Sequence, residues 1–167
     1  MDLRATQQPL KQRYRADPAR AQITLRANGS RADAPVACSV DLGRAVYEAQ
    51  AHEGVGGAGT AACSGDLLLG ALAACAQLTC QMVADAMDIE ATRLDVFVEG
   101  DLDLRGTLGL AREVSAGFAA IRVRFEIEAP TATADELESL QTKTERYCTV
   151  LQTLTTPPQL ETEFVRT

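Results

Sequence analysis

Gly65-Asp66-Leu67-Leu68-Leu69-Gly70-Ala71-Leu72-Ala73-Ala74-Cys75-Ala76-Gln77-Leu78 decides how this chain folds. The run is free of proline, and Ala and Leu, its commonest residues, are the strongest helix formers. It predicts a helix over about 67 to 87, apolar on every side between 67 and 78 and therefore enclosed by other elements. Gly70, Ala71, Ala73 and Ala74 are small enough for strands or a second helix to approach closely. Ser64 is placed to cap the helix, and Asp66 puts a carboxylate in its first turn, where the dipole favours negative charge.

Outward from this helix, period-two patterns dominate. On its N-terminal side, residues 53 to 65 hold five of the twelve glycines, which predicts a mobile loop. Before that, Ile23, Leu25 and Ala27, then Val36, Cys38, Val40 and Leu42, alternate with polar neighbours around Asn28-Gly29-Ser30, the pattern of a hairpin. A tight turn at Leu42-Gly43-Arg44-Ala45 leads into a third short strand, and residues 7 to 16 suit one or two helical turns ended by Asp17-Pro18. On the C-terminal side, Leu94, Val96 and Val98 alternate in a strand expected to continue through Leu102 and Leu104. Ile121, Val123, Phe125 and Ile127 alternate with Arg122, Arg124, Glu126 and Glu128, the cleanest such signal in the chain. Thr133 and Glu136 form a capping-box pair ahead of a helix that buries Leu137 and Leu140. A short helix over 147 to 154 stops before Pro157-Pro158, and Leu160, Thr162 and Phe164 suggest a last strand. Strands, a buried helix, two long strands, two helices and a strand make an α+β fold, with antiparallel sheet wrapped on a long central helix.

Length and composition bound the rest. A chain of 167 residues, 46% hydrophobic, fits one compact domain over 1–167 or a subunit sharing its core with a partner, with 1–20 as an N-terminal extension. The net charge of -7 argues against nucleic acid or an anionic membrane as partner. No run of about 18 consecutive apolar residues occurs, and Met1-Asp2-Leu3-Arg4-Ala5-Thr6 lacks an apolar signal core, so a cytoplasmic protein is expected. Five cysteines, at 38, 63, 75, 80 and 148, are an odd set without a Cys-x-x-Cys pair. The one histidine, His52, lies in a polar loop where solvent exposure is expected. These counts leave the usual zinc sets unfilled, so no metal or bound cofactor is expected.

Cys75 and Cys148 both sit in apolar contexts. On a helix Cys75 shares its stripe with Leu68, Ala71, Leu72, Thr79 and Met82, whereas Cys80 lies about 140° around. Cys148 opens a short helix, whose free N–H groups would favour its thiolate. Two readings follow from the residues alone: a redox dithiol, or two small hydrophobes that only pack.

The run Leu67 to Cys75, followed about seventy residues later by Glu145-Arg146-Tyr147-Cys148-Thr149-Val150, resembles the paired signature of the OsmC/Ohr family of thiol-dependent peroxidases. The glycine-rich loop, the long strand near 94 to 104 and the closing strand follow the same layout, so the resemblance spans most of the chain from residue 20 onward. It implies an intertwined homodimer in which Cys75 attacks an organic hydroperoxide and becomes a sulfenic acid. Cys148 would then resolve that acid as a disulfide, and an external dithiol or lipoyl-type reductant would restore the thiols. The family also supplies an Arg oriented by a Glu to hold the thiolate. The matching Arg here is Arg31, with Arg26 as rival; the position ten before Cys75 is Gly65, and the neighbouring acid is Asp66. A non-catalytic relative that binds an apolar small molecule in the same pocket is the alternative that this departure keeps open.

Overall fold

The computed structural model describes residues 3–17, 21–22, 24, 28–31, 37–41 and 45–166. The chain is α+β and forms two compact units, Met1–Gly70 with Val98–Arg124, and Ala71–Phe97 with Phe125–Thr167.

The first unit begins with α1, Leu3–Ala16, one long helix with Pro9 inside it where only one or two turns were expected. Strands β1 (Asn28–Arg31), β2 (Ala37–Asp41) and β3 (Val46–Gln50) form an antiparallel sheet in the order β1-β2-β3. The hairpin is present, but its register runs from Asn28↔Asp41 to Arg31↔Cys38. Asn28-Gly29-Ser30 is therefore strand and not the turn of the hairpin. Ladder pairing satisfies backbone groups of those residues, and that outweighs the local turn preference of Asn-Gly. The expected strand residues Ile23, Leu25, Ala27 and Val36, and Leu42-Gly43-Arg44 of the expected turn, lie outside the described residues.

The glycine-rich segment is not the loose loop its composition suggests. Gln50 N–H donates to the Ala62 carbonyl at 3.0 Å, and Thr60 Oγ1 donates to Gln50 Oε1 at 3.0 Å, closing its two ends together. Inside it, His52 caps a 3-10 turn over Glu53–Val55. Gly57 donates to the His52 carbonyl at 3.1 Å and lies so close to the Ala51 carbonyl that any Cβ there would collide with it. That close approach, more than any need for mobility, explains this glycine.

Helix α2, Ser64–Ala86, starts in the first unit and continues into the second, as β4 (Arg93–Asp101) does in reverse. Its strand pattern stops at Asp101. Asp103 accepts from Arg105 N–H at 3.1 Å and caps a one-turn helix α3, Leu104–Thr107, so Leu102 and Leu104 do not extend the strand. A short Asx cap competes successfully with strand propensity where no ladder partner is within reach. β5, Ala120–Glu128, pairs with β4 in a two-stranded sheet and exposes alternate residues, as its sequence predicted. On the solvated face Arg122 bridges Glu99 at 2.8 Å and Asp101 at 2.6 Å, an exposed cross-strand cluster that sets register more than stability. Among the first-unit residues whose burial is described, a set that leaves out β1 and β2, only Ala49 is buried.

The second unit holds a true core. Leu72, Ala76, Thr79, Cys80, Val83 and Ala84 of α2 are buried, at spacings of three, four and one that mark a single stripe. Cys80, Val83, Ala84, Ile89 and Leu140 pack together, with Leu94, Phe125, Ile127 and Leu137 against them. Gln77 Nε2 ties the helix to β4 by donating to the Leu94 carbonyl at 2.8 Å. The other side of α2 is not enclosed: Leu68, Leu78 and Met82 are exposed. The helix is thus apolar all round, as expected, yet this chain covers one face of it. By length and composition alone α2 could also cross a membrane, a test that core helices pass too.

Helix α4, Ala134–Tyr147, opens on the predicted capping box. Thr133 N–H donates to Glu136 Oε2 at 2.8 Å, and Glu136 N–H donates back to Thr133 Oγ1 at 3.3 Å. Thr133→Ala is expected to lower unfolding free energy by about 1 kcal/mol, read as a lower urea midpoint with an unchanged slope. Thr133→Ser should recover most of it. After α5, Thr149–Thr155, residues 157–166 carry no regular structure, and Leu160 and Phe164 are exposed. The expected last strand does not form: among the described residues, 157–166 pair with no strand.

Candidate active site

Cys75 lies on α2, half-buried, and Cys148 is fully buried at the joint where α4 ends and α5 begins. Both are free thiols, and they are within hydrogen-bonding reach of each other, all inside the second unit. The joint is made by one residue: Cys148 N–H donates to Thr144 of α4 at 2.9 Å, while its carbonyl accepts from Gln152 of α5 at 2.9 Å. Its extended backbone, φ -71° and ψ 104°, breaks the helix there.

The break brings the first amides of α5 to both thiols. Burial pushes the Cys75 thiol up, but donation from Val150 N–H, the Cys148 thiol, the Thr79 hydroxyl and Thr149 N–H outweighs it, leaving Cys75 below the ordinary thiol range. Cys148 moves the other way. Burial raises it first, Leu151 and Val150 N–H offset part, and the bond to Cys75 and the neighbouring Cys75 charge raise it further. The expectation that the helix start would favour a Cys148 thiolate is therefore corrected: the amides of α5 do ease Cys148, but burial and the neighbouring Cys75 outweigh them. Cys75, approaching from α2, takes donation from the same helix start and from the Cys148 and Thr79 side chains besides.

Two residues that the sequence did not single out as functional thus complete the environment, Thr79 through its side chain and Val150 through its backbone. The signal for Thr79 was its spacing of four from Cys75, which places it one turn on along the same face. An alkylation profile checks the assignment. Cys75 should react with iodoacetamide with an inflection below that of a free thiol, Cys148 with one above, and Thr79→Val should move the Cys75 inflection upward only. Loss of a donor to the thiolate weakens the charged form, which fixes that sign.

The remaining expected site residues fall elsewhere. Asp66 accepts from Cys63 N–H at 2.8 Å at the start of α2, and this bond, with the Cys63 thiol and nearby His52, holds its carboxyl below the usual range. It therefore caps the helix in the first unit. Arg31 lies on β1 opposite Cys38; its side chain lies outside the described residues, as does Arg26. Among the described residues, the groups that lower Cys75 are neutral donors. His52 is exposed, as expected, with Nδ1 accepting from Gly54 N–H at 3.0 Å. Cys80 is raised by burial and faces Thr144, whose hydroxyl eases that rise without a well-aligned bond.

Residues 57–163 match the family model of the OsmC-like protein. The chain belongs to the OsmC-like family. Its fold is shared with an OsmC-like protein of Mycoplasma pneumoniae at 18% identity, covering 81% of this chain and 90% of that one, with a TM-score of 0.66. An organic hydroperoxide resistance protein of Elizabethkingia anophelis matches at 17% identity over 81% and 91% of the two chains, TM-score 0.60. An OsmC-like protein of unknown function from Vibrio cholerae matches at 11% over 79% and 94%, TM-score 0.61. No curated protein matches the sequence. The OsmC-like family therefore includes proteins named for hydroperoxide resistance and others without an assigned activity, and this OsmC-like chain shares their fold at low identity.

Proposed function

We propose that this OsmC-like protein is a thiol-dependent peroxidase that reduces organic hydroperoxides to alcohols. The observation that carries the reading is the opposite displacement of two touching thiols, Cys75 lowered and Cys148 raised. Such a pair has its nucleophile and its resolving group assigned by environment. The Cys75 thiolate attacks the outer oxygen of the hydroperoxide; the O–O bond breaks, the alkoxide leaves and is protonated to the alcohol, and the sulfur becomes a sulfenic acid. That step removes the negative charge that kept Cys148 protonated. Cys148 then loses its proton more readily, attacks the sulfenic sulfur and expels water, forming a Cys75–Cys148 disulfide. An external dithiol, of lipoyl type or similar, reduces the disulfide and is itself oxidised, so the cycle needs no bound cofactor.

The homodimer is part of this reading. An α2 whose Leu68, Leu78 and Met82 are exposed suits an apolar surface that a second copy covers. Sedimentation equilibrium of the full chain should return two copies; a monomer would remove that part. The proposed setting is the cytoplasm, with a small hydroperoxide and a dithiol as partners.

Mass spectrometry after one equivalent of cumene hydroperoxide tests the chemistry. Loss of two hydrogens, with Cys75 and Cys148 recovered in one cross-linked peptide, is expected. The neutral surroundings of Cys75 and Gly65 in place of a glutamate favour a second reading, a relative that binds an apolar molecule without turnover. Unmodified thiols with a co-purified ligand would select it.

A further inference from the structure

The second half of the peroxidase cycle needs a group that eases charge on Cys148, and one buried hydroxyl stands unused one helical turn away. Thr144 is 1% exposed, and its Oγ1 has no hydrogen-bond partner among the described residues. A hydroxyl taken out of water without a replacement bond costs stability, so its presence in the core calls for a use. We propose that Thr144 serves the resolving step, its hydroxyl donating to the Cys148 sulfur as that sulfur takes on charge. This role rests on the peroxidase reading and adds a residue to its second step.

The geometry of the second unit supports it. Thr144 lies four residues before Cys148 on α4, and Cys148 N–H still donates to the Thr144 carbonyl at 2.9 Å, so the helical turn between them is intact. The φ of Cys148, -71°, is helical and only its ψ departs. Its Cα–Cβ bond therefore stays on the Thr144 stripe, where residues four apart stand about 5–6 Å from each other at Cβ. As α2 runs from Cys75 through Cys80 to Ala84, the α4 residues it meets run back from Cys148 through Thr144 to Leu140, so the two helices pack antiparallel. Cys75 has Thr79 one turn onward on α2, and Cys148 has Thr144 one turn back on α4, which puts both threonines on the same side of the thiol pair. In the reduced pair the Thr79 hydroxyl is committed to Cys75, whereas that of Thr144 only faces Cys80.

A helical threonine divides between two χ1 rotamers, so rotation about one bond carries the hydroxyl from Cys80 to Cys148. The demand for it arises only after Cys75 is oxidised. While Cys75 is a thiolate, Cys148 keeps its proton and donates its S–H to Cys75. Once Cys75 is a sulfenic acid, the Cys148 S–H bond breaks and its sulfur attacks the Cys75 sulfur. The S–S bond forms, the S–O bond breaks, and the departing hydroxide takes the Cys148 proton and leaves as water. The Cys148 sulfur is oxidised and the Cys75 sulfur reduced, so no further reagent enters. Thr144 changes no covalent bond: it supplies a charge-assisted hydrogen bond to a sulfur whose burial opposes ionisation.

Rapid mixing of the full chain with one equivalent of cumene hydroperoxide, quenched with dimedone and iodoacetamide, resolves the two steps. Thr144→Val keeps the shape of the side chain and removes the hydroxyl. It is expected to hold hydroperoxide consumption within about twofold of wild type while slowing the Cys75–Cys148 cross-link about tenfold, the scale of a lost bond to a charged group. The dimedone adduct of Cys75 should accumulate in step, and Thr144→Ser should restore most of the cross-linking rate. A threonine that only packs would show neither change, since valine fills the same space. Unchanged cross-linking in Thr144→Val, or equal slowing of both steps, overturns the role. A second measurement needs no hydroperoxide. In chains carrying Cys75→Ser, the pH inflection of Cys148 alkylation, followed by peptide mass, should rise with Thr144→Val and return with Thr144→Ser. The titratable groups concerned are Cys75 from α2, removed in that background, and Cys80, which faces Thr144; α5 presents backbone N–H groups. A wild type that forms neither adduct nor cross-link would defeat the peroxidase reading, and the Cys148 inflection would still decide whether Thr144 donates to Cys148. An inflection that Thr144→Val leaves in place overturns that donation.

Discussion

Cys75→Ser is expected to abolish dithiol-supported consumption of an alkyl hydroperoxide, lowering the rate by roughly a thousandfold or more, the scale on which loss of a nucleophile acts. A serine hydroxyl in the same place would accept the same donors, Val150 N–H, the Cys148 thiol, the Thr79 hydroxyl and Thr149 N–H, but it does not ionise near neutral pH. Cys148→Ser is expected to behave differently. Its Cys75 still attacks, so one equivalent of hydroperoxide per chain disappears, after which a dithiol must reduce the sulfenic acid directly and turnover slows sharply. Coupled oxidation of the dithiol, followed with purified wild type and both variants, separates the three behaviours. Activity that survives Cys75→Ser would defeat the peroxidase assignment outright.

The pH dependence follows from the same pair. Cys75 is lowered, so its thiolate is already formed at a pH where an ordinary thiol is mostly protonated, and activity should fall as pH drops through its lowered value. Cys148 is raised, so it stays a thiol over that window and donates to the Cys75 thiolate. Rising pH beyond the ordinary thiol range should cost the wild type little until Cys148 also ionises and places a second charge beside the first.

Leu140→Ala is expected to be the most damaging substitution for stability. Leu140 is fully buried in the second unit, against Cys80, Val83, Ala84 and Ile89, and its truncation should cost about 3 kcal/mol through lost transfer energy plus the cavity left behind. For a chain of this size that is a fall in Tm of roughly 6–12 °C. Leu140→Met, which keeps the volume, should cost less than about 1.5 kcal/mol. Thermal unfolding followed by circular dichroism reads both. Equal effects of the two variants would show that the site is not close-packed.

Periodicity and capping patterns alone make the long helix, the β5 strand and the start of α4 at Thr133 legible, because each depends on residues within one or two turns of one another. The same local rules fail at Asn28-Gly29-Ser30, where pairing with β2 decides the outcome, and at Leu104, where the Asp103 cap does. They fail again at Leu160 to Phe164, whose alternation is real but which pairs with no described strand. At the thiol site the two cysteines are legible from their contexts and the family resemblance, whereas the expected protonation of Cys148 is inverted. Which thiol ends up lowered depends on burial and on where α2 brings Cys75, and no property of the segment 145 to 150 contains that.

By itself, then, the sequence determined an α+β chain with a uniformly apolar central helix, a first-turn acid at Asp66 and two candidate thiols, since propensity, patterning and capping are local. Only the tertiary structure decided that Cys75 and Cys148 meet, that the donors of α5 act on Cys75, and that one face of α2 is left uncovered. Those are consequences of which surfaces pack together, and packing is set by long-range burial that no window of sequence encodes.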